Sequence, residues 1–389
     1  MNVPCMKFLT ASVIVALIGL TAQAQPPAKI IANALQAFVE NHTIAGAVTL
    51  VADKDKALSI ETVGYADMAA KKPMRLDNLF WIASMTKPVT ATAVLMLQDE
   101  GKLSVDDPVA KYLPELANLK TADGKPAKLT LRNLLTHTSG MGEATPQESA
   151  AASKLADLIP HFAEKPLQFE PGTKWQYCQS GINSLGRIVE VVSGQSFPDF
   201  LQERLFDPLG MKNTTFYPTQ QQLARLAKSY KAEDGKLEEA PIFILDNHDP
   251  ASHDRYPAAN GGLFSTAQDY ARFCQMLLNR GSFGGRRYLK RASVKLMNTI
   301  QTGDLKTGFT DGNGWGLGCC VVRKPQGVTA VLSPSTFGHG GAYGTQAWID
   351  PVKQVIYVLM VQRSNFPNSD ASDLRRAFQE AAATVAGKP

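Results

Sequence analysis

A serine and a lysine three residues apart could act together as a nucleophile and its base. Ser84 and Lys87 form the motif Ser-Met-Thr-Lys, which a mostly apolar helix follows through Leu97. One helical turn places such residues on the same side of the helix. Serine is a poor nucleophile until a base takes its proton, and burial lowers the pKa of a lysine, which frees its neutral amine for that role. Because the spacing also arises by chance, the prediction of covalent catalysis at Ser84 needs support from other segments.

A tyrosine on a predicted loop is the second candidate. Tyr177 lies between the turn at Pro171-Gly172 and a helix predicted to begin just after Gly181. A phenol that is held near a lysine can serve as an acid and a base. The alternative is that Tyr177 only packs, which is the commoner role of an isolated tyrosine.

Glycines are concentrated in a predicted strand near the C-terminus, around His339-Gly340-Gly341-Ala342. Glycines this dense in a strand indicate that another group approaches the backbone closely. The backbone N–H groups of Ala342 and Ser84 could bind the oxygen of a substrate carbonyl. His339 could add a polar or cationic group beside the substrate. A glycine-rich bend with a structural histidine is the alternative.

No segment has the spacing of a metal or cofactor site. His-Glu-x-x-His, Cys-x-x-Cys, Gly-x-Ser-x-Gly and a glycine-rich phosphate loop before a helix are all absent from the sequence. His248-Asp249 and His253-Asp254 favour a polar loop near the pocket over a metal site. The net charge of +5 comes from interspersed acidic and basic residues, which does not indicate a nucleic-acid partner. We therefore expect neither a metal nor a cofactor.

The elements that must position these residues follow a simple order, with strands near both ends of the chain and helices between them. This order predicts an α/β (α+β) fold, in which helices flank one antiparallel sheet and an all-helical region is inserted. The α/β part would span about 25–80 and 225–389, and the helical part about 81–224. Helices are predicted at 30–40, 89–100, 129–135, 182–192, 267–279 and 372–385, and strands at 45–52, 58–65, 315–323, 344–350 and 355–362.

The N-terminus has the features of an export signal. Lys7 precedes an apolar run at 8–20, and Ala22-Gln23-Ala24 provides a small-x-small cleavage pattern. The run is shorter than the roughly 20 residues that span a bilayer. We therefore expect a signal peptide at 1–24, a secreted and periplasmic hydrolase domain at 25–389, and no stable membrane anchor.

Four cysteines remain in the mature chain. Some of them could pair in an oxidising compartment, but for most we expect the role of a small apolar packing residue. They are Cys178, Cys274, Cys319 and Cys320.

Together the three motifs resemble the serine β-lactamase and penicillin-binding-protein superfamily, in its class C-like branch. That branch contains class C β-lactamases, family VIII carboxylesterases and D-amino-acid peptidases. The resemblance covers about residues 30–380 and includes LTLRNLLTHTSG at 129–140 and GGLFSTAQD at 261–269. It implies that Ser84 is the acylated nucleophile, that Lys87 is its base partner, and that Tyr177 is the tyrosine of a Tyr-x-Asn motif.

The resemblance also assigns substrate-binding positions, and two of them depart from the β-lactamase pattern. His339-Gly340-Gly341 takes the place of Lys-Thr-Gly, and Ala342 falls where the second oxyanion donor lies. Gln179 stands where a β-lactamase usually has asparagine. The usual lysine and asparagine hold the carboxylate and the amide of the substrate. Their replacement disfavours efficient β-lactam hydrolysis and leaves acylation of Ser84 possible.

The resemblance therefore implies an exported carboxylesterase-like hydrolase of short acyl esters. A class C-like β-lactamase or a D-amino-acid peptidase is the alternative, so the partner would be a small-molecule ester, β-lactam or D-aminoacyl substrate. A penicillin-binding or sensor protein without catalysis is disfavoured, because Ser84, Lys87 and Tyr177 are all present. We expect the loop at 242–260 to shape the pocket.

Overall fold

The computed structural model describes residue 1 and residues 29–245 and 248–387. The predicted signal peptide at 1–24 therefore lies outside the described residues, apart from Met1. Within the described ranges, no helix has both the length and the apolar character that crossing a membrane requires.

An antiparallel sheet is built from the two ends of the chain, as predicted. Its eight strands lie in the order β10-β11-β12-β13-β14-β1-β2-β3. The strands of the described residues are β1 (Gly46–Ala52), β2 (Ala57–Asp67), β3 (Lys72–Pro73), β4 (Phe80–Trp81), β5 (Tyr230–Glu233), β6 (Lys236–Glu239), β7 (Phe264–Ser265), β8 (Ser282–Phe283), β9 (Arg286–Arg287), β10 (Asn313–Trp315), β11 (Cys320–Val322), β12 (Phe337–Gly340), β13 (Gln346–Asp350) and β14 (Val355–Met360).

Helices cover both faces of this sheet, which explains why every residue of β1 is buried. Ala47 and Val51 face α1 and α12, whereas Val48 and Leu50 face the core that contains α10. The helices are α1 (Ile30–Glu40), α2 (Thr86–Asp99), α3 (Leu131–Leu135), α4 (Pro146–Ala151), α5 (Leu155–Ala163), α6 (Gln179–Ser193), α7 (Phe197–Leu201), α8 (Asp207–Leu209), α9 (Gln220–Leu223), α10 (Ala267–Leu278), α11 (Arg291–Asn298) and α12 (Asp373–Val385).

Two predicted elements need correction. The strand predicted at 315–323 is a hairpin of β10 and β11, in which Trp315 pairs with Cys320. Gly318 has a φ of 72° in the connecting turn, and an added Cβ would meet Ala91. The helix predicted to begin after Gly181 begins at Gln179, so Gln179 belongs to the first turn of α6 and not to the preceding loop.

The cysteines of the described residues are packing residues, as expected for most of them. Cys178, Cys274, Cys319 and Cys320 are free and buried. Cys319 and Cys320 lie in different cores, so their side chains point to opposite sides.

Candidate active site

Ser84 lies in a short 3-10 turn, Ala83–Met85, that leads directly into α2. The preceding residue, Ala83, has a φ of 46°, a left-handed conformation that costs an L-residue roughly 1–2 kcal/mol. Neighbouring hydrogen bonds hold the turn, since Ile82 N–H donates to the Leu263 carbonyl at 3.0 Å and the Tyr270 hydroxyl to the Met85 carbonyl at 2.7 Å. The turn leaves the Ser84 side chain partly exposed at a cleft.

Lys87 contacts Ser84 directly, as the spacing predicts. Its Nζ lies 3.0 Å from Ser84 Oγ, 2.9 Å from Gln179 Oε1 and 2.7 Å from the Asn260 carbonyl oxygen. The side chain is fully buried, and this burial lowers the pKa of Lys87 to about 7.

These partners suit the neutral form of the amine. A neutral amine has two N–H donors and one lone pair. The oxygens of Gln179 and Asn260 accept the two N–H groups, which leaves the lone pair free for the hydroxyl of Ser84. The arrangement can therefore take the proton of Ser84 without rearranging Lys87.

Tyr177 stands over the same lysine. Lys87 Nζ lies 4.6 Å from the centre of the Tyr177 ring, and the Tyr177 hydroxyl interacts with the Ser84 side chain. Burial raises the pKa of Tyr177 well above its ordinary value. The group is therefore a phenol near neutral pH, able to donate or relay a proton.

His137 supports Tyr177 from behind. The two rings are 4.5 Å apart, and His137 Nδ1 accepts the N–H of Cys178 at 3.1 Å. Burial, with the charge of Lys87 adding to it, holds the pKa of His137 well below its ordinary value. A neutral aromatic cluster backs the phenol, formed by His137 together with Trp175, Trp315 and Phe309.

His339 belongs to this cluster and is 3% exposed. Its Nδ1 lies 2.7 Å from the Gly340 carbonyl oxygen, to which it must donate, so Nε2 is the acceptor for the Tyr177 hydroxyl at 3.4 Å. Burial lowers the pKa of His339 to about 3. Of the two roles expected for His339, the neutral polar one is therefore favoured over the cationic one, and its contact with substrate stays a prediction.

The glycines beside His339 are close to atoms of the chain itself. A Cβ at Gly340 would lie 1.9 Å from Asp370 Oδ1, and one at Gly341 would lie 2.0 Å from Thr345 Oγ1. The groups that approach this backbone closely are therefore side chains of the protein itself. Substrate binding by Gly340 and Gly341 stays a prediction. The next residue, Ala342, is exposed in the same cleft as Ser84.

Two backbone donors are available at this point. Neither the N–H of Ser84 nor that of Ala342 has an acceptor among the described residues. Unpaired N–H groups beside a nucleophile can stabilise the oxyanion that forms on a substrate carbonyl. The oxyanion role expected for this pair is compatible with the structure and stays a prediction.

Gln179 holds Lys87 in place. Its Oε1 accepts hydrogen bonds from Lys87 Nζ and, at 2.9 Å, from Asn260 Nδ2. Glu143 accepts the backbone N–H groups of Gln179 at 2.6 Å and Ser180 at 2.9 Å, so its carboxylate caps the N-terminus of α6.

The cleft has a volume of about 390 Å³ and contains Ser84, Gln179 and Ala342 in its wall. Residues of 242–245 and 248–260 also line the cleft, as predicted. They are Phe243, Ile244, His248, Arg255, Tyr256, Ala258 and Asn260. In the part of the chain that the structure describes, no three histidine, cysteine or acidic side chains are grouped to hold a metal.

Sequence reasoning did not identify Asn260 and Glu143 as site residues. Asn260 directly precedes the Gly-Gly-Leu segment, and Glu143 follows the Thr-His-Thr-Ser-Gly segment by three residues. Both segments are part of the family resemblance, so their position next to these segments was the signal that could have identified Asn260 and Glu143.

Comparison with known proteins gives a consistent result. The family model described as Beta-lactamase matches residues 31–382. Protein Rv1367c of Mycobacterium tuberculosis is 34% identical over 89% of this chain and 90% of its own length. Esterase EstB of Burkholderia gladioli is 30% identical over 79% of this chain and 83% of its own length. Penicillin-binding protein 4 of Amycolatopsis lactamdurans is 34% identical, over 79% of this chain and 77% of that protein.

Solved structures show the same fold. EstCE1, described as a hydrolase with promiscuous acyltransferase activity, has a TM-score of 0.78 at 24% identity. The alignment covers 92% of this chain and 98% of that one.

Proposed function

The chain belongs to the beta-lactamase family of serine hydrolases, and on that premise we propose that it hydrolyses short acyl esters through an acyl-enzyme on Ser84. The observation that carries this proposal is the contact of Lys87 Nζ with Ser84 Oγ at 3.0 Å, made by an amine whose pKa burial lowers to about 7. A nucleophile and a base in direct contact are what acyl transfer requires.

The geometry supports a two-step reaction. Lys87 takes the proton of Ser84 as Oγ bonds to the carbonyl carbon, and the N–H groups of Ser84 and Ala342 bind the resulting oxyanion. The ester C–O bond then breaks, and the alcohol leaves with the proton returned from Lys87 through the Tyr177 hydroxyl. Water next attacks the acyl-enzyme and gives a proton to the same amine. The bond between the acyl carbon and Ser84 Oγ then breaks, the acid leaves, and the amine returns the proton to Ser84 Oγ.

The choice of an ester over a β-lactam rests on His339. A β-lactam presents a carboxylate close to its reacting carbonyl, at the position that the family resemblance assigns to His339 on strand β12, but burial keeps His339 neutral with a pKa of about 3. A simple ester needs no such partner. The similarity to an esterase, EstB, is compatible with this choice. The similarity to a penicillin-binding protein is the reason to compare turnover of an ester with turnover of a β-lactam.

We predict that kcat/KM for 4-nitrophenyl butyrate exceeds that for nitrocefin by about tenfold or more, since one charge-assisted hydrogen bond is missing. Steady-state kinetics with both substrates measures the ratio. A fluorophosphonate should label one tryptic peptide, the one that contains Ser84, and Ser84→Ala should abolish both labelling and turnover. A preference for nitrocefin would replace the esterase proposal with that of a β-lactamase.

We also propose that the chain is exported after removal of residues 1–24. The support is the basic, apolar and small-x-small pattern of the N-terminus. Cell fractionation with N-terminal sequencing should give a periplasmic protein that begins near Gln25. A cytoplasmic protein that retains Met1 would reject export.

A further inference from the structure

Arg255 is a cation in the wall of the cleft that contains Ser84. Its side chain is 6% exposed, and its Nη2 donates to the carbonyl oxygens of Phe216 and Pro250. The guanidinium also lies 4.9 Å from the ring centre of Tyr217. Its Nε is buried and has no hydrogen-bond partner among the described residues.

Within the described residues, no carboxylate forms an ion pair with Arg255. None of the ion pairs within the described residues includes it. Asp249 is near enough to favour the cation but is exposed and beyond ion-pair distance. Glu143, which lines the cleft, already accepts hydrogen bonds from the start of α6.

An unpaired, desolvated cation is costly, so such groups are normally paired in proteins. Here the cation lies beside empty space large enough for a substrate. Arg255 precedes Asn260 by five residues, which limits the distance between their backbones to about 17 Å. Asn260 contacts Lys87, so Arg255 is within reach of a small substrate bound at Ser84.

We propose that Arg255 binds a carboxylate at the far end of the substrate, so that the preferred substrates are short esters with a negative charge. This inference rests on the proposed function for the ester bond itself. Apolar side chains of Leu158 and Phe162 also line the cleft, which suits a short aliphatic chain between the ester and the carboxylate. A guanidinium can donate charge-assisted hydrogen bonds to a carboxylate.

Matched esters test the proposal by turnover. The 4-nitrophenyl monoester of glutaric acid and 4-nitrophenyl pentanoate differ only in a terminal carboxylate against a methyl group. A second pair, 4-(pentanoyloxy)benzoate and phenyl pentanoate, moves the charge to the alcohol side. We expect the charged ester of at least one pair to have a kcat/KM about tenfold or more above its neutral partner.

Variants identify the residue responsible for the preference. Arg255→Gln should lower the charged-to-neutral ratio about tenfold, and Arg255→Lys should retain part of it. Arg187→Gln is the matched control, because it also removes one positive charge but lies outside the cleft, where Arg187 pairs with Glu190. A structural role of Arg255 would slow both esters equally and leave the ratio unchanged, which would overturn the proposal.

A binding measurement separates this proposal from the esterase proposal. Isothermal titration of the full chain with glutarate needs no turnover and should give binding that Arg255→Gln weakens about tenfold. Glutarate binding through Arg255 without hydrolysis of any ester would reject only the proposed function. Equal titration curves for the wild type and Arg255→Gln would overturn the carboxylate site, whatever the enzyme hydrolyses.

Discussion

Two groups of residues near Ser84 treat charge in opposite ways. One group, which we name the catalytic wall, consists of Tyr177, His339 and His137, and burial keeps all three neutral. The other group, the selecting wall, consists of the cleft-lining residues of 242–245 and 248–260, among which Arg255 has a positive charge with no ion-pair partner in the described residues. The catalytic wall backs the nucleophile with a cluster of rings, whereas the selecting wall has exposed and partly buried polar groups.

This contrast separates the control of rate from the control of substrate. Because the residues of the catalytic wall stay neutral, the group beside them that changes its charge near neutral pH is Lys87. A fixed cation on the selecting wall attracts one class of substrate but takes no part in moving protons. Substitutions in the catalytic wall should therefore slow every substrate, whereas those at Arg255 should change the ratio between substrates.

The largest effect is expected at Lys87. Lys87→Ala removes the base that contacts Ser84 at 3.0 Å, and kcat should fall by about 10³-fold for charged and neutral esters alike. Saturation kinetics with a matched ester pair measures both values. The catalytic wall and the selecting wall would not have separate roles if Lys87→Ala changed the charged-to-neutral ratio of kcat/KM more than Arg255→Gln did.

The sheet and the serine–lysine pair could be predicted from the sequence because both depend on local patterns. The apolar run of β1 indicates a strand buried on both faces, and the spacing of Ser84 and Lys87 within one helical turn fixes their contact. The turn that splits β10 from β11 was missed, because Gly316 and Gly318 interrupt a run that is otherwise typical of one strand.

The selecting wall could not be predicted beyond its position in the chain. Asn260 contacts a lysine that is 173 residues away in sequence, and Glu143 caps a helix that begins 36 residues later. Contacts between residues this far apart produce no local pattern in the sequence. The charge of Arg255 indicates a substrate contact only because the side chain is buried beside the cleft. That burial depends on how several segments pack together.

A smaller effect is expected at Tyr177. Tyr177→Phe keeps the ring that packs on His137 but removes the hydroxyl that faces Ser84 and His339. Turnover should fall by about 10²-fold, with the fold intact, because proton return to the leaving alcohol is lost. Single-turnover kinetics should show the loss in release of the alcohol, while circular dichroism monitors folding. Turnover close to that of the wild type would remove the Tyr177 hydroxyl from the mechanism.

The pH dependence of the unmodified enzyme is a further test, with the smallest change for each step that is measured. In the proposed mechanism the neutral amine of Lys87 is the base, and burial lowers its pKa to about 7. Below that pH the amine is protonated, so kcat/KM for a neutral ester should fall about tenfold for each pH unit. Above it the amine stays neutral and the rate should level off. His339, with a pKa of about 3, and Tyr177, whose pKa lies well above its ordinary value, add no further step near neutrality.

The same profile tests the independence of the two walls. Arg255 stays charged across this range, so Arg255→Gln should leave the midpoint of the acid limb at about 7 while it lowers the preference for the charged ester. Rates measured between pH 5 and pH 9 at constant ionic strength give the midpoint of each variant. A rate that is flat across this range would show that Lys87 is not the titrating base. If Arg255→Gln moves the midpoint, then the cation acts on Lys87 electrostatically, and the two walls share the control of rate.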